Sequence, residues 1–575
     1  MDSAVVEIAR RGRFVVGEPY FTPGTAIPLD RQGLNDVRPG DLAVVSLRRR
    51  GRARLERVLG RAESIETVLE GLLVERGALV EFEPYDASMP PLEGRVDLRE
   101  QLAFTIDPET AKDFDDAISV QADGEGLRAW VHIADVSQFV PAGSPLDRGA
   151  SQRAFSTYVP GLVAPMLPHE LADDLCSLRP NEDRLCVTVE VPFGPGFEQG
   201  EPVFYRSVIR SRERFTYGRV EEILAGRERV QPELGEALAH AERLAGFLRD
   251  RRFARGALRV QSLELVFEFD GHGGVADARR EREPHAHMLV EELMILANEC
   301  VAELLASRKR PALYRVHEPP EPQSVELLLS RLAELEVPTP PAPDAETMAP
   351  DQAAKVAAAA SELVTQYTAR AKRGEEAFRT LVLRALKQAR YDPRNLGHSG
   401  LASRAYCHFT SPIRRYPDLV VHRALLNELG AADDPLPEAL SDEAEHCSVR
   451  EREAAGIEYL GDELCLAWLL EARLFELGWE HVFEGEIIGL IPGGLFARFG
   501  EVFEGLLPAR RLADDYYELD PLAVALVGSR GGRKYRLGDP IKVRVTDIRR
   551  SEGKVELGLA GGNNRERGKV GRRRR

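Results

Sequence analysis

The sequence predicts a multidomain α+β protein, a large mixed body set between small β-barrels. Three observations lead there. The 575 residues are 43% hydrophobic, enough for two to four domains with substantial cores. Both ends carry short alternating strands broken by turn residues, a pattern typical of small barrels. Between them, strand-like runs give way to apolar residues at helical spacing.

In chain order, GRFVVGEPY, TPGTAIPLD, RPGDLAVVSLRRR and RARLERVLG read as strands of a first barrel between residues 12 and about 60. ETVLEGLLVERGALVEFEPYD is expected to carry that barrel to about residue 90, where DASMPPLEG forms a linker. From about 95 to 215 strands and loops mix, as in LRAWVHIADVSQFV and RLCVTVEVPF. Then Leu234, Leu238, Ala241, Leu244 and Leu248 share one helical face, as do Leu289, Leu293, Leu296 and Cys300. Further helices are expected around 323–335, 351–373 and 416–429, with the prolines of EVPTPPAPD (336–344) making a surface loop. A helical connector reaches 478, and from 480 a five-strand barrel pattern returns, with a Gly-Gly break in its first hairpin. Phe496, Phe499 and Phe503 in that barrel are candidates for stacking on nucleic-acid bases.

The six cysteines form no Cys-x-x-Cys pair, which excludes a disulfide scaffold or a cysteine zinc site. No segment has the length and apolarity of a membrane span or a secretory leader, so a cytoplasmic protein without membrane contact is expected. The net charge of −16 argues against a uniformly basic nucleic-acid binder. Its distribution is uneven, however. Arg48, Arg49, Arg50, Arg52, Arg54 and Arg57 form one basic block, and RERGKVGRRRR closes the chain with seven positive residues against one negative.

Chemistry concentrates in FTIDPETAKDFDDAISV, residues 104–120. Asp107, Glu109, Asp113, Asp115 and Asp116 are five acids in ten positions, where 93 acids in 575 residues predict one or two. They lie between apolar strands, where like charges repel strongly unless a cation compensates them. Carboxylates without His or Cys suit a hard ion such as magnesium or manganese, and the spacing does not fit a calcium EF-hand. Such ions serve phosphoryl chemistry, often as a pair. Arg414 and Arg415, in HFTSPIRRYPDLVVHR at 408–423, offer guanidinium groups for a phosphate. A second metal reading pairs His287 with Glu291, one helical turn apart.

These residues carry a family resemblance. The acidic stretch, TYVPGLVAPMLPHELADDLCSLRPNE (157–182), VEELMILAN (290–298), LYRVHEPP (313–320), LVLRALKQARY (381–391) and YCHFTSPIRRYPDLVVHR (406–423) stand in the order of the RNase II/RNase R family of 3′→5′ exoribonucleases. The chain resembles that family across residues 95–430. The resemblance implies an RNB catalytic domain flanked by small OB-fold β-barrels. The division is then a cold-shock-like barrel region at 1–92, catalytic domain 93–430, helical connector 431–478, S-one-type RNA-binding barrel 479–562 and basic tail 563–575. Studied bacterial members carry two cold-shock barrels, whereas 92 residues hold one, or a compressed pair.

By motif position, Asp107, Asp113, Asp115 and Asp116 match the family's four acidic residues, which bind magnesium, as one ion or two, with manganese as an alternative. Asp115 matches the residue most needed for the chemistry, and Arg414 the arginine at the scissile phosphate. Arg415 stands where a second basic residue contacts RNA, and Tyr158 where an aromatic stacks on the terminal base. Glu109 matches no catalytic position, and Glu451 or Glu458 of the connector is a further candidate to reach the site. The resemblance implies processive hydrolysis of single-stranded RNA from its 3′ end to nucleoside 5′-monophosphates by a monomer. The basic tail is similar to those of RNase R-type members that handle structured RNA with a 3′ overhang. A catalytically silent RNA-binding protein and a metal-dependent phosphatase or DNA nuclease are the alternatives.

Overall fold

The computed structural model describes residues 3–561 apart from 13, 31–33, 35, 36, 49–51, 80, 86, 260–262, 283, 284, 513 and 514. The first unit is one five-stranded antiparallel sheet. Its central strand, Ser3–Arg11, pairs with Phe14–Pro19 on one side and Asp41–Arg48 on the other. The edges, Ile27–Pro28 and Arg52–Arg61, approach each other at a parallel bridge between Leu29 and Ala53. Val6 and Ile8 point into a small core with Ala43, Val45 and Ala53, while Val5 points to the opposite face.

A helix, Ile65–Glu75, covers that opposite face, where a continuing strand was expected. Ile65, Val68, Leu69, Leu72 and Leu73 are all buried. Their spacing of three and four is helical, and it outweighs the β-branched flavour of the stretch. Between residue 79 and Val96–Leu98 the described residues form no helix or strand.

The body is built on a seven-stranded sheet. Its order is Glu213–Thr216, Phe104–Asp107, Asp116–Asp123, Gly126–Ala134, Asp183–Phe193, Val203–Arg210, Val96–Leu98. The two outer pairings are parallel and the others antiparallel. Helix Pro232–Ala254 lies on this sheet and against helix His285–Ser307, and both expected apolar faces are buried. Each buried leucine removes apolar surface worth about 1.5–3 kcal/mol from water. Helices Pro322–Glu334, Pro350–Ala371 and Glu375–Ala385 form a further group, and residues 336–344 make the expected loop. Prolines open the first turns of Pro232–Ala254, Pro322–Glu334, Pro350–Ala371 and Tyr416–Glu428, where the missing N–H costs nothing.

One 38-residue helix, Leu440–Leu477, runs through the molecule as a strut. It touches the helix at Ile65–Glu75, the small hairpin Thr157–Val159/Leu162–Ala164 and the C-terminal barrel. Gly461 makes the hairpin contact possible. A Cβ there would stand 3.0 Å from Val159 Cγ1 and 3.3 Å from Pro160 Cδ.

The C-terminal barrel closes in the order Phe483–Ile491, Gly494–Phe499, Phe503–Pro508, Lys554–Leu559, Pro540–Arg549. Gly493 and Gly494 turn its first hairpin, and a three-stranded sheet over Tyr517–Arg536 fills the variable stretch. The stacking expectation needs correction here. Phe499 and Phe503 are buried in the barrel core, and Phe496 alone of the three faces outward, 38% exposed.

All six cysteines are free and buried. Among the described residues no helix is long and apolar enough to cross a membrane. Arg48, Arg52, Arg54 and Arg57 are exposed, with Arg57 paired to Glu70 at 3.1 Å. Arg49, Arg50 and the tail 563–575 lie outside the described residues.

Candidate active site

The acidic stretch leaves one strand of the central sheet and enters its neighbour. Asp107 ends Phe104–Asp107, Asp116 opens Asp116–Asp123, and Asp113 and Asp115 occupy the connection. The sheet fixes the two ends, and the connection between them carries the other two carboxyls. Asp115 is 3% exposed, and its main-chain oxygen accepts from Ala134 N at 2.9 Å. Its Oδ1 accepts from Ile413 N at 2.8 Å, and Arg414 Nε comes within 3.3 Å of Oδ2. Sequence segments almost three hundred residues apart therefore meet at this one side chain.

Charge here is undercompensated. Asp107 Oδ2 and Asp115 Oδ2 are buried without a hydrogen-bond partner. Burial, then the neighbouring Asp116 charge, pushes the Asp107 carboxyl up to about 8. Burial also lifts Asp116 to about 6, against the pull of Arg414 and Arg415. Asp115 is raised by the same cause, opposed by Arg414. Among the described residues no three His, Cys, Asp or Glu side chains converge as a ready-made metal cage. The fit to a cation lies instead in the orphaned oxygens and in a donor set of carboxylates alone, which suits a hard divalent ion.

Tyr158 sits on the small hairpin, where its hydroxyl donates to Asp113 Oδ2 at 2.6 Å. Its backbone N–H donates to Glu458 Oε1 at 2.8 Å, so the strut holds the hairpin. Of the two connector glutamates, Glu458 thus holds Tyr158, while Glu451 borders the same cavity and pairs with Arg315 at 2.7 Å. Arg415 is committed to the buried Asp418 at 2.7 Å, and Asp418 also accepts from Ser411 N at 2.8 Å. That pair rigidifies the turn carrying Arg414, whose guanidinium remains 43% exposed. Glu109 is exposed, and its main-chain oxygen accepts from Arg214.

A cavity of about 1050 Å³ opens beside the acidic cluster, lined by Tyr158, Arg414 and Arg415 of these groups but by none of the four aspartates. Glu451 and Glu458 line it as well, together with Tyr459 and with Phe496 of the barrel. Tyr459 is 60% exposed, an aromatic lining the cavity that sequence reading missed. Its signal was available only in the helical register of the strut. Near the mouth, Glu376 and Glu504 tie Arg280, Arg379 and Arg498 into one network joining the barrel to the body. Of the alternative metal pair, Glu291 stands 3.6 Å from Arg252, and the His287 ring packs against Tyr217 with centroids 5.3 Å apart.

Comparison with known proteins follows the same outline. The RNB domain family matches residues 95–430, and the S1 RNA binding domain family matches residues 478–559. Ribonuclease R of Escherichia coli is 37% identical over 487 residues, covering 81% of this chain and 57% of that protein. Ribonuclease R of Aquifex aeolicus is 38% identical over 490 residues, covering 84% and 67%. The chain thus spans little more than half the length of the Escherichia coli relative. The structure of Mycoplasma genitalium RNase R in complex with ribose-methylated single-stranded RNA superposes with a TM-score of 0.84 at 25% identity, covering 97% of this chain and 89% of that one.

Proposed function

Because the chain belongs to the RNB-domain family of RNase II and RNase R enzymes, we propose that it is a processive 3′→5′ exoribonuclease releasing nucleoside 5′-monophosphates. The observation that carries the reading is the meeting of Asp115 with Ile413 N and Arg414, which sets an acidic cluster against a phosphate-binding arginine. Family exonucleases are metal-dependent in general. Asp107, Asp113, Asp115 and Asp116 are the proposed ligands of magnesium, as one ion or two, with manganese able to replace it.

When bound, the cation supplies an activated water and neutralises charge on the scissile phosphate. The chain's own groups do the rest. Arg414, held by the Arg415–Asp418 turn, binds the phosphate and stabilises the charge that develops as the in-line attack proceeds. Tyr158, oriented through its hydroxyl by Asp113 and through its backbone by Glu458, supports the terminal base. Raised by burial, Glu458 gains relief from the Tyr158 N–H, so the hairpin and strut hold each other in place. Tyr459 and Phe496 offer sequence-tolerant stacking faces along the way in, and the barrel adds its own RNA surface. Arg415 contributes by positioning and by field. We further propose that the enzyme works as a cytoplasmic monomer, divided as the sequence suggests, and that the tail 563–575 helps it engage structured RNA carrying a 3′ overhang.

The test is product analysis on a 5′-labelled duplex with a single-stranded 3′ overhang. The expected result is a ladder shortening from the 3′ end, with 5′-monophosphates as the product and no cleavage in EDTA. Internal cuts, or equal turnover of DNA, would replace this reading with another nuclease class. Binding without any cleavage would leave the catalytically silent alternative.

A further inference from the structure

His408 lies at the inner wall of the cavity, two positions before Thr410 and on the same segment as Arg414 and Arg415. Its Nδ1 is 2.7 Å from the hydroxyl of Tyr391. The direction of this hydrogen bond follows from what surrounds the phenol. Tyr391 is 3% exposed, burial holds its hydroxyl protonated, and that hydroxyl has no second partner among the described residues. Were the imidazole the donor, the buried O–H would have no acceptor, which costs about 1–3 kcal/mol. Tyr391 therefore donates to Nδ1, and the neutral ring carries its proton on Nε2.

That Nε2–H makes no hydrogen bond within the described protein, and the ring borders open cavity. The carboxylate nearest in kind, Glu451, is already paired with Arg315. Orientation is fixed from several sides. Tyr391 N–H donates to Ser448 Oγ at 2.9 Å, the Arg315 guanidinium covers the Tyr391 ring at 4.9 Å, and Tyr406 packs edge-on against His408. Burial beside Arg415, Arg315, His398 and Arg414 keeps the imidazole uncharged. A fixed, neutral donor beside two guanidinium groups suits an anionic oxygen that those groups have drawn in.

We propose that His408 donates a hydrogen bond from Nε2 to a backbone phosphate oxygen of RNA in the cavity, oriented through Tyr391, and transfers no proton in the reaction. The identity of the ligand rests on the exoribonuclease reading. The direction of the donor rests on the geometry alone.

The test uses the full chain in EDTA, so that binding is read without turnover, by anisotropy of a short 5′-labelled single-stranded RNA. His408→Phe keeps the ring and removes the donor, and it is expected to weaken binding about tenfold, the worth of one hydrogen bond to a charged acceptor. His408→Gln, which restores an N–H, should recover most of that loss, and Tyr391→Phe, which frees the tautomer, should lose about threefold. With a divalent ion present, His408→Phe should raise KM more than it lowers kcat and leave the shape of the pH–rate profile unchanged. The fold loss should be the same on a DNA oligonucleotide of matching sequence, since the contact is to phosphate. Wild-type affinity in His408→Phe would overturn the proposal. So would loss of one limb of the pH profile, which would mean proton transfer, or a deficit confined to RNA, which would mean a sugar contact. If the wild-type chain neither binds nor degrades RNA, the exoribonuclease reading itself fails. Wild-type turnover with no His408→Phe deficit removes only the His408 assignment.

Discussion

Asp135 and Asp115 are buried aspartates beside paired strands of the same sheet, and the fold treats them oppositely. Asp135 follows Gly126–Ala134 and is fully compensated. Arg95 reaches it at 2.7 Å and Arg206 at 3.0 Å, and Ser137 Oγ donates at 2.6 Å. Asp147 is served likewise by Arg423, Tyr416 and the Gly143 N–H. Asp115, whose main chain pairs with Ala134 one residue from Asp135, has one guanidinium at 3.3 Å from an oxygen that accepts no hydrogen bond, and two further aspartates for neighbours. The chain evidently has arginines to spend on buried carboxylates. Leaving one cluster short is what makes that cluster a candidate cation site.

The comparison can be broken most sharply by exchanging charge for amide at both places. Asp115→Asn should lower cleavage at least about ten-thousandfold while changing RNA binding in EDTA by no more than about twofold. Single-turnover assays with parallel anisotropy would show the split. Joint loss of both would place Asp115 among structural groups with Asp135. Asp135→Asn should do the reverse. Stranding Arg95 and Arg206 beside a neutral group costs about 3–5 kcal/mol of stability, visible in urea unfolding, with near-normal turnover per folded molecule. A smaller effect tests the support of the site. Gly461→Ala would push a methyl to within 3.0 Å of Val159 and shift the hairpin that carries Tyr158. Overpacking there should cost about 1–3 kcal/mol and reduce kcat about tenfold, because Glu458 and Asp113 no longer hold Tyr158 together. An unchanged kcat would mean that the hairpin adjusts freely.

Much of this arrangement was legible in the sequence, for identifiable reasons. The excess of acids between apolar strands and the ordered motifs placed Asp107, Asp113, Asp115, Asp116, Arg414 and Tyr158 near one another, and the structure brings them together. The helices at 232–254 and 285–307 followed from uninterrupted apolar faces. The helix at Ile65–Glu75 was lost because Val, Leu and Thr in ETVLEGLLVE imitate a strand unless the spacing of three and four is counted. Phe499 and Phe503 could not be told from Phe496, since the side of a barrel strand that faces inward depends on how the barrel closes. The donor direction of His408 was out of reach, because it depends on a phenol seventeen residues away and on that phenol's burial.

The central claim is that the undercompensated aspartates await a divalent cation, and thermal unfolding of the full chain tests it most directly. Asp107 at about 8 and Asp116 at about 6 start from 3.8 in the unfolded chain, so between these limits the native state holds more protons than the unfolded state. Without metal, stability must then fall as pH rises through that window, each raised unit being worth about 1.4 kcal/mol. The account predicts a melting temperature in EDTA that is lower near pH 8 than near pH 6, and a magnesium-induced rise that is larger near pH 8. Asp107→Asn should raise the melting temperature in EDTA near pH 8 and shrink the magnesium effect. A melting temperature in EDTA that climbs with pH, or an equal magnesium shift in wild type and Asp107→Asn, would contradict it.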